Sequence, residues 1–308
     1  MTRNFGIAGV QMSVVPLDPN ATIDKMSEIA IQISRSFPWI QLVMFHELAA
    51  AGLVQFVKAD HPDSWKKIAE PVPGPSTDRL CALARQTGQW LVPGSLHEVD
   101  AGRFYNTAVV ISPAGEIVAK YRKMFPWLPY EAPTTAGGEF CVFDIPDVGR
   151  FGLCICYDVW FPEVSRQLAW MGAEVILQPT LTPTSDRELE LVMARANALF
   201  NQCYFVSVNG IGPWGGGRST IIDPDGRVMQ EASTNQTFMT EILDLDHTRR
   251  TREFGTLGLA QTLKQLRDSG QRFPLYEDGN LAKGSYGDLG ALALHRDLKL
   301  DGISRRKP

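Results

Sequence analysis

The chain has 308 residues, 44% of them hydrophobic and 21% charged, and a formal net charge of −4. This composition suits a soluble globular protein with a sizeable core, and the acidic balance argues against a nucleic-acid or anionic-membrane surface. No run approaches the roughly 18 apolar residues of a membrane span.

The opening MTRNFGIAGVQM is too short and too broken by glycine for a secretory leader. Five scattered cysteines (Cys81, Cys141, Cys154, Cys156 and Cys203) suit a reducing compartment, so a cytoplasmic location is expected. Cys154 and Cys156 are the only close pair, and His46, His61, His97, His247 and His295 show no ligand spacing. Dependence on a metal is therefore not expected.

Strand-like and helix-like segments alternate to about residue 243. FGIAGVQM reads as the first strand, and PNATIDKMSEIAIQISRS as a helix with Ile23, Met26, Ile29 or Ala30, and Ile33 at helical spacing and Asn20 as its cap. IQLVMF is a wholly apolar strand running into His46 and Glu47. STDRLCALARQTG is a helix with Ser76 as cap and Gly88 as terminator, and WLVPGSL is the next strand.

Two hairpins follow the same logic, NTAVVISPAGEIVAKY turning at Pro113-Ala114-Gly115 and RSTIIDPDGRVM at Pro224-Asp225-Gly226. Between them lie strand VGRFGLCIC, helix PEVSRQLAWMG, strand AEVILQ, helix RELELVMARANALFNQ and strand YFVSVN. The pattern suggests an α/β fold of two βαβ-type halves stacked sheet on sheet, with an open doubly wound sheet as the alternative. Residues 1–245 read as one domain. Residues 246–308, rich in Arg, Lys, Asp and Gly, read as an extension packing on that domain or on a neighbouring subunit.

Three strand-end residues carry chemistry. Cys156 ends an apolar strand at a turn, where a following helix N-terminus favours negative charge. Glu47 is an acid inside an almost wholly apolar stretch, where desolvation raises its pKa toward the range useful for proton transfer. Lys123 is followed by the apolar wall Met124-Phe125-Pro126-Trp127, and a cation held there can stabilise developing negative charge. Glu131 is a second acid in that segment. Each has a plain structural alternative: a core cysteine, a buried ion-paired acid, a solvated lysine. Together they supply a nucleophile, a base and an oxyanion partner, with the backbone N–H of Tyr157 as a second oxyanion donor.

These segments resemble the nitrilase, or carbon–nitrogen hydrolase, superfamily. VMFHEL matches the glutamate motif at Glu47, with His46 where the family usually has proline. YRKMFPW matches the lysine motif at Lys123, and CYDVWFPE the cysteine motif at Cys156. RFYNTAVVISPAGEIV, GAEVILQPT, RANALFNQCYFVSVN and GGGRSTIIDPDGRV extend the likeness to about Leu245.

The resemblance implies a four-layer α-β-β-α sandwich, a thioester acyl-enzyme, no cofactor, and a homodimer or larger homo-oligomer. The family's second glutamate maps onto Glu131. Its dimer helices map onto PEVSRQLAWMG and RELELVMARANALFNQ, with Trp170 and Phe200 as candidate anchors. Tyr157-Asp158 after the cysteine, rather than the Trp-Glu of true nitrilases, and PWLPYE, similar to a segment of short-chain amidases, favour hydrolysis of a small carboxamide.

N-carbamoyl compounds, nitriles, acyl transfer to an amine and a non-catalytic scaffold are the alternatives. Arg187 or Arg218 would be the clamp that a carbamoyl acid needs. Trp127, Tyr130, Tyr157, Trp160, Thr180 and Leu181 flank the motifs and are the candidate substrate-binding residues.

Overall fold

The computed structural model describes residues 2–16, 18–51, 64–128, 131, 133–277 and 292. The first half runs β1 (Asn4–Gln11), α1 (Pro19–Ser36), β2 (Leu42–Phe45), α2 (Pro75–Thr87), β3 (Trp90–Val92), β4 (Ser95–Asp100), β5 (Arg103–Ile111) and β6 (Ile117–Arg122). The second begins with β7 (Cys141–Ile145), β8 (Gly149–Leu153), α3 (Pro162–Trp170), β9 (Val175–Thr180), α4 (Asp186–Asn201) and β10 (Tyr204–Asn209). The short hairpin β11 (Ile211–Gly212) and β12 (Gly215–Gly216) precedes β13 (Thr220–Ile222), β14 (Val228–Glu231) and β15 (Thr237–Asp244). Helices α5 (Leu245–Phe254) and α6 (Thr262–Asp268) follow.

One sheet has the order β15-β1-β2-β3-β5-β4, with β6 on β5; the other has the order β14-β13-β10-β9-β8-β7. Each is built on three parallel strands, β1-β2-β3 and β8-β9-β10, joined through α1 and α2 or through α3 and α4. Strands of this kind are covered on both faces and read as continuous apolar runs.

Alternation along them defines three apolar layers. Phe5 and Ile7 of β1 and Leu42 and Met44 of β2 point between the sheets, where Phe151, Val175 and Val206 meet them. Ala8, Val10, Val43 and Phe45 point the other way, onto Ile23, Met26 and Leu80 of α1 and α2. Ile176 and Phe205 pack outward on Val164, Leu168 and Ala198 of α3 and α4. Three buried layers require four structural ones. The α-β-β-α sandwich follows, and the open doubly wound sheet does not.

Local details differ from the sequence expectation. Proline at the first helical position needs no N–H partner and presets φ, so α1 starts at Pro19 and is capped by Asp18, which accepts the Ala21 N–H at 2.9 Å. Pro75 likewise starts α2 and leaves Gly74 as its cap. Asn20 and Ser76 therefore lie inside their helices.

WLVPGSL splits into β3 and β4 at Pro93-Gly94, because a Cβ on Gly94 would lie 1.8 Å from the His46 carbonyl oxygen. VGRFGLCIC leaves the ladder after Leu153. Strands β7 and β15 and the outer part of β4 escaped notice, being mixed in polarity and lying at the ends of their sheets.

Beyond β15, Arg3 bridges Asp246 of α5 (3.0 Å) and Glu174 (2.9 Å). Arg252 donates to the carbonyls of Ala173 (2.6 Å) and Gln202 (3.1 Å). Among the described residues, no helix is long and apolar enough to cross a membrane.

Candidate active site

Glu47, Cys156 and Thr180 all lie at or just past the carboxyl ends of parallel strands, where α/β sheets open their crevices. The Glu47 N–H donates to the Thr180 carbonyl at 3.3 Å, linking the ends of β2 and β9. Cys156 opens a short 3₁₀ turn and has φ +46°, a left-handed conformation that a side chain adopts only under constraint. The Gln178 amide donates to its carbonyl at 3.0 Å. Asp158 accepts from Ile155 N–H, Phe125 N–H (both 2.8 Å) and Tyr121 O–H (2.7 Å), tying the turn to the segment around Lys123. Burial pushes the Asp158 carboxyl up to about 6 against those donors.

Lys123, 2% exposed, sits between two carboxylates. Its Nζ lies 3.0 Å from Glu47 Oε1 and 2.7 Å from Glu131 Oε2. Asn106 Nδ2 donates to Glu47 at 2.8 Å, and the Trp127 N–H donates to Glu131 at 2.6 Å. Burial opposes charge on every member, yet the two acids hold the Lys123 ammonium well above its usual range.

The acids diverge. Burial outweighs the Lys123 charge at Glu47 and raises its carboxyl, whereas at Glu131 the ammonium and the Trp127 N–H prevail and lower it. Burial also raises the Cys156 thiol well above its normal range; Glu47 adds to this and Lys123 opposes it. Glu47 and the Thr180 hydroxyl both lie close enough to the thiol to influence its proton. The resting arrangement is a protonated nucleophile beside an acid biased to accept a proton, with one ammonium hydrogen uncommitted to either glutamate.

A cavity of about 150 Å³ opens at Cys156. It is lined by the aromatic residues Trp127, Tyr157 and Trp160 together with Leu181 through Thr184, Asp186 and Glu190. Thr180 lies buried behind Cys156 rather than in the wall, and Tyr130 lies outside the described residues.

Asn106, Thr182, Asp186 and Glu190 went unnoticed in the sequence. Asn106 alone had a signal, a lone amide inside a β-branched run. Arg187 is buried and committed to Glu190 (3.1 Å), Ser207 (3.1 Å) and the Arg218 carbonyl (2.7 Å). Arg218 pairs with Glu188 and Glu231. Neither arginine lines the cavity.

Histidine spacing also hid a grouping of Asp223, Asp225 and His247 at the β13–β14 turn. There Asp223 accepts two turn N–H groups at 2.9 Å, and His247 pairs with Asp225 at 3.1 Å.

A family model described as carbon-nitrogen hydrolase matches residues 6–253. The chain belongs to the carbon–nitrogen hydrolase family. Over 213 residues it is 34% identical to a formamidase of Bacillus cereus (strain B4264), a match covering 67% of this chain and 62% of that protein. It thus spans less than two thirds of that relative's length. An amidase from Nesterenkonia sp. superposes with a TM-score of 0.68 at 26% identity, covering 82% of this chain and 94% of that one. Other structures of the amidase show butyramide bound to a cysteine-to-alanine variant and, in a glutamate-to-glutamine variant, the acetamide moiety of fluoroacetamide on the active-site cysteine.

Nit3 of Saccharomyces cerevisiae, a member of branch 10 of the nitrilase superfamily, shares the fold, with a TM-score of 0.73 at 24% identity over 82% of this chain and 94% of that one. The nitrilase-superfamily resemblance of the three motifs is borne out, as is the sandwich it implied.

Two buried imidazoles give this carbon–nitrogen hydrolase a pH signature. Burial lowers His46 and His97 from about 6.5 to about 4, although carbonyl contacts at His46 and the Glu131 charge near His97 oppose it. A depressed folded-state pKa stabilises the native state above the unfolded value, and that contribution is lost as pH falls through the folded value. Stability should therefore fall between pH 6.5 and pH 4, by on the order of 3 kcal/mol for each histidine. Urea unfolding across that window tests this; a midpoint independent of pH would refute it.

Proposed function

We propose that this chain hydrolyses small carboxamides through a thioester on Cys156. One observation carries the reading: the Cys156 thiol, in the lining of a cavity of about 150 Å³, is under the influence of a buried glutamate that shares one lysine with a second glutamate. Glu47 takes the thiol proton as sulfur attacks the carbonyl carbon. Lys123 Nζ and the Tyr157 N–H stabilise the oxyanion, such a donor contributing about 3 kcal/mol in the transition state.

Collapse breaks the C–N bond, and Glu47 returns the proton to the departing ammonia or amine. Water, deprotonated by Glu47 and positioned by Glu131, then cleaves the thioester to a carboxylic acid. No step calls for a cofactor, and a reducing, cytoplasmic setting would keep the thiol competent. The formamidase and amidase relatives favour an amide over a nitrile. The committed Arg187 and Arg218 weigh against carbamoyl acids.

Mass spectrometry of protein quenched during butyramide turnover should show Cys156 heavier by one butyryl group, with ammonia released and both signals lost in Cys156→Ala. Ammonia release by Cys156→Ala at the native rate would end this reading. Hydroxylamine as acceptor separates hydrolysis from transfer, since a transferase would form hydroxamate in preference to acid.

The outer helices support self-association. Leu189, Val192, Leu199 and Phe200 form an exposed stripe on α4, with Val192 68% exposed, and Trp170 of α3 is 52% exposed. Apolar faces of this kind mark interaction sites. We place a homodimer contact here, and Val192→Glu should convert the assembly to a smaller species in sedimentation velocity. A native protein that sediments as a monomer would remove the contact.

A further inference from the structure

We propose that the cavity at Cys156 selects amides whose acyl chain ends in an ammonium or another N–H donor, and rejects those ending in a carboxylate. This rests on the amide-hydrolase reading and concerns the acidic part of the cavity wall. That wall carries Asp186 and Glu190 from the first turns of α4.

Glu190 is 2% exposed and close enough to Cys156 to raise its thiol. Its Oε1 accepts the Thr182 hydroxyl proton at 2.8 Å. That bond commits the Thr182 hydroxyl proton. Thr180 and Thr182 hydroxyl oxygens lie 3.3 Å apart, so the second hydroxyl is engaged as well.

The cations nearby lie outside the lining, although the charges of Arg187 and Lys123 are felt at the Cys156 thiol. Arg187 spends its guanidinium on Glu190, Ser207 and the Arg218 carbonyl, and Lys123 is held by Glu47 and Glu131. Among the described residues, no arginine, lysine or histidine lines the cavity. Four carboxylates (Glu47, Glu131, Asp186 and Glu190) thus stand against two cations around the thiol and its cavity, and two of the four, Asp186 and Glu190, belong to the lining.

A substrate carboxylate there would meet like charge with no cationic side chain in the lining to offset it. An ammonium would be attracted, and at the short distances of so small a cavity the interaction is strong because little water screens it. Asp186 is half-buried and Glu190 is tied to Arg187. Asp186 is therefore the residue whose charge can be changed with least disturbance to the fold.

The test compares three amides of similar length: 3-aminopropanamide, butyramide and succinamate. The proposal expects kcat/KM to fall in that order, by about tenfold per step. Asp186→Asn should shrink the ratio of the first to the second several-fold, and Asp186→Lys should raise succinamate relative to 3-aminopropanamide. Circular dichroism confirms that each variant is folded.

Butyramide turnover with equal rates for all three amides, or ratios unmoved by both substitutions, would overturn the charge selection and leave the amidase reading intact. If none of the three is cleaved and Cys156 acquires no acyl mass, both fall.

Discussion

Lys123→Ala is expected to abolish detectable turnover and to destabilise the fold by about 3–5 kcal/mol, the usual cost of leaving a buried charge without its partner. The lysine lies between Glu47 at 3.0 Å and Glu131 at 2.7 Å, all three fully enclosed. Without the ammonium, two desolvated carboxylates share one site and one of them must take a proton. This loss has a pH signature. A carboxyl whose folded-state pKa is raised stabilises the native state below its unfolded value, and that contribution disappears as pH rises through the folded value.

The variant's deficit against the native protein should accordingly widen from pH 5 to pH 8, as read by urea unfolding. Lys123→Met, which restores volume without charge, should recover packing but not turnover. Native stability in Lys123→Ala at pH 8 would mean that the lysine does not balance the two glutamates.

Why the sandwich and the triad were legible, while the specificity wall was not, comes down to the range of the signals. Phe5, Ile7, Leu42 and Met44 alternate with Ala8, Val10, Val43 and Phe45 between two buried faces, so a local apolar run announces a parallel strand. Glu47 and Lys123 stood out because a charge within an apolar segment contradicts its surroundings, and Cys156 because a strand stops at it.

Asp186 and Glu190 lie on a helix whose sequence reads as an ordinary amphipathic surface. Their place in the cavity depends on how α4 docks beside β9, which is tertiary information. Arg187 misled for the same reason: an arginine beside a suspected site resembles a clamp until its partners Glu190 and Ser207 are seen. The caps at Asn20 and Ser76 failed locally, because proline at the first helical position outranked a good capping side chain.

Glu47→Gln should lower kcat by roughly 10² to 10⁴, the range expected for loss of a positioned general base, with little change in stability. Glutamine keeps an oxygen to accept from Asn106 Nδ2 and Lys123 Nζ, which lie 2.8 and 3.0 Å from Glu47 Oε1. It cannot take the thiol proton. The same substitution should move the thiol in a direction that a merely structural defect would not.

In the native site the Glu47 charge adds to burial in holding Cys156 above its normal range, while Lys123 opposes both. Removing that negative charge leaves the ammonium as the main charge acting on the sulfur, so the midpoint of iodoacetamide alkylation should shift to lower pH. Turnover and thiol reactivity would then change in opposite senses. A glutamate that only packed the site would lower both together or leave both unchanged. A general base that both raises the resting thiol and accepts its proton predicts the divergence, and alkylation profiles of the two proteins between pH 6 and pH 10, set beside their amide turnover, decide between these cases.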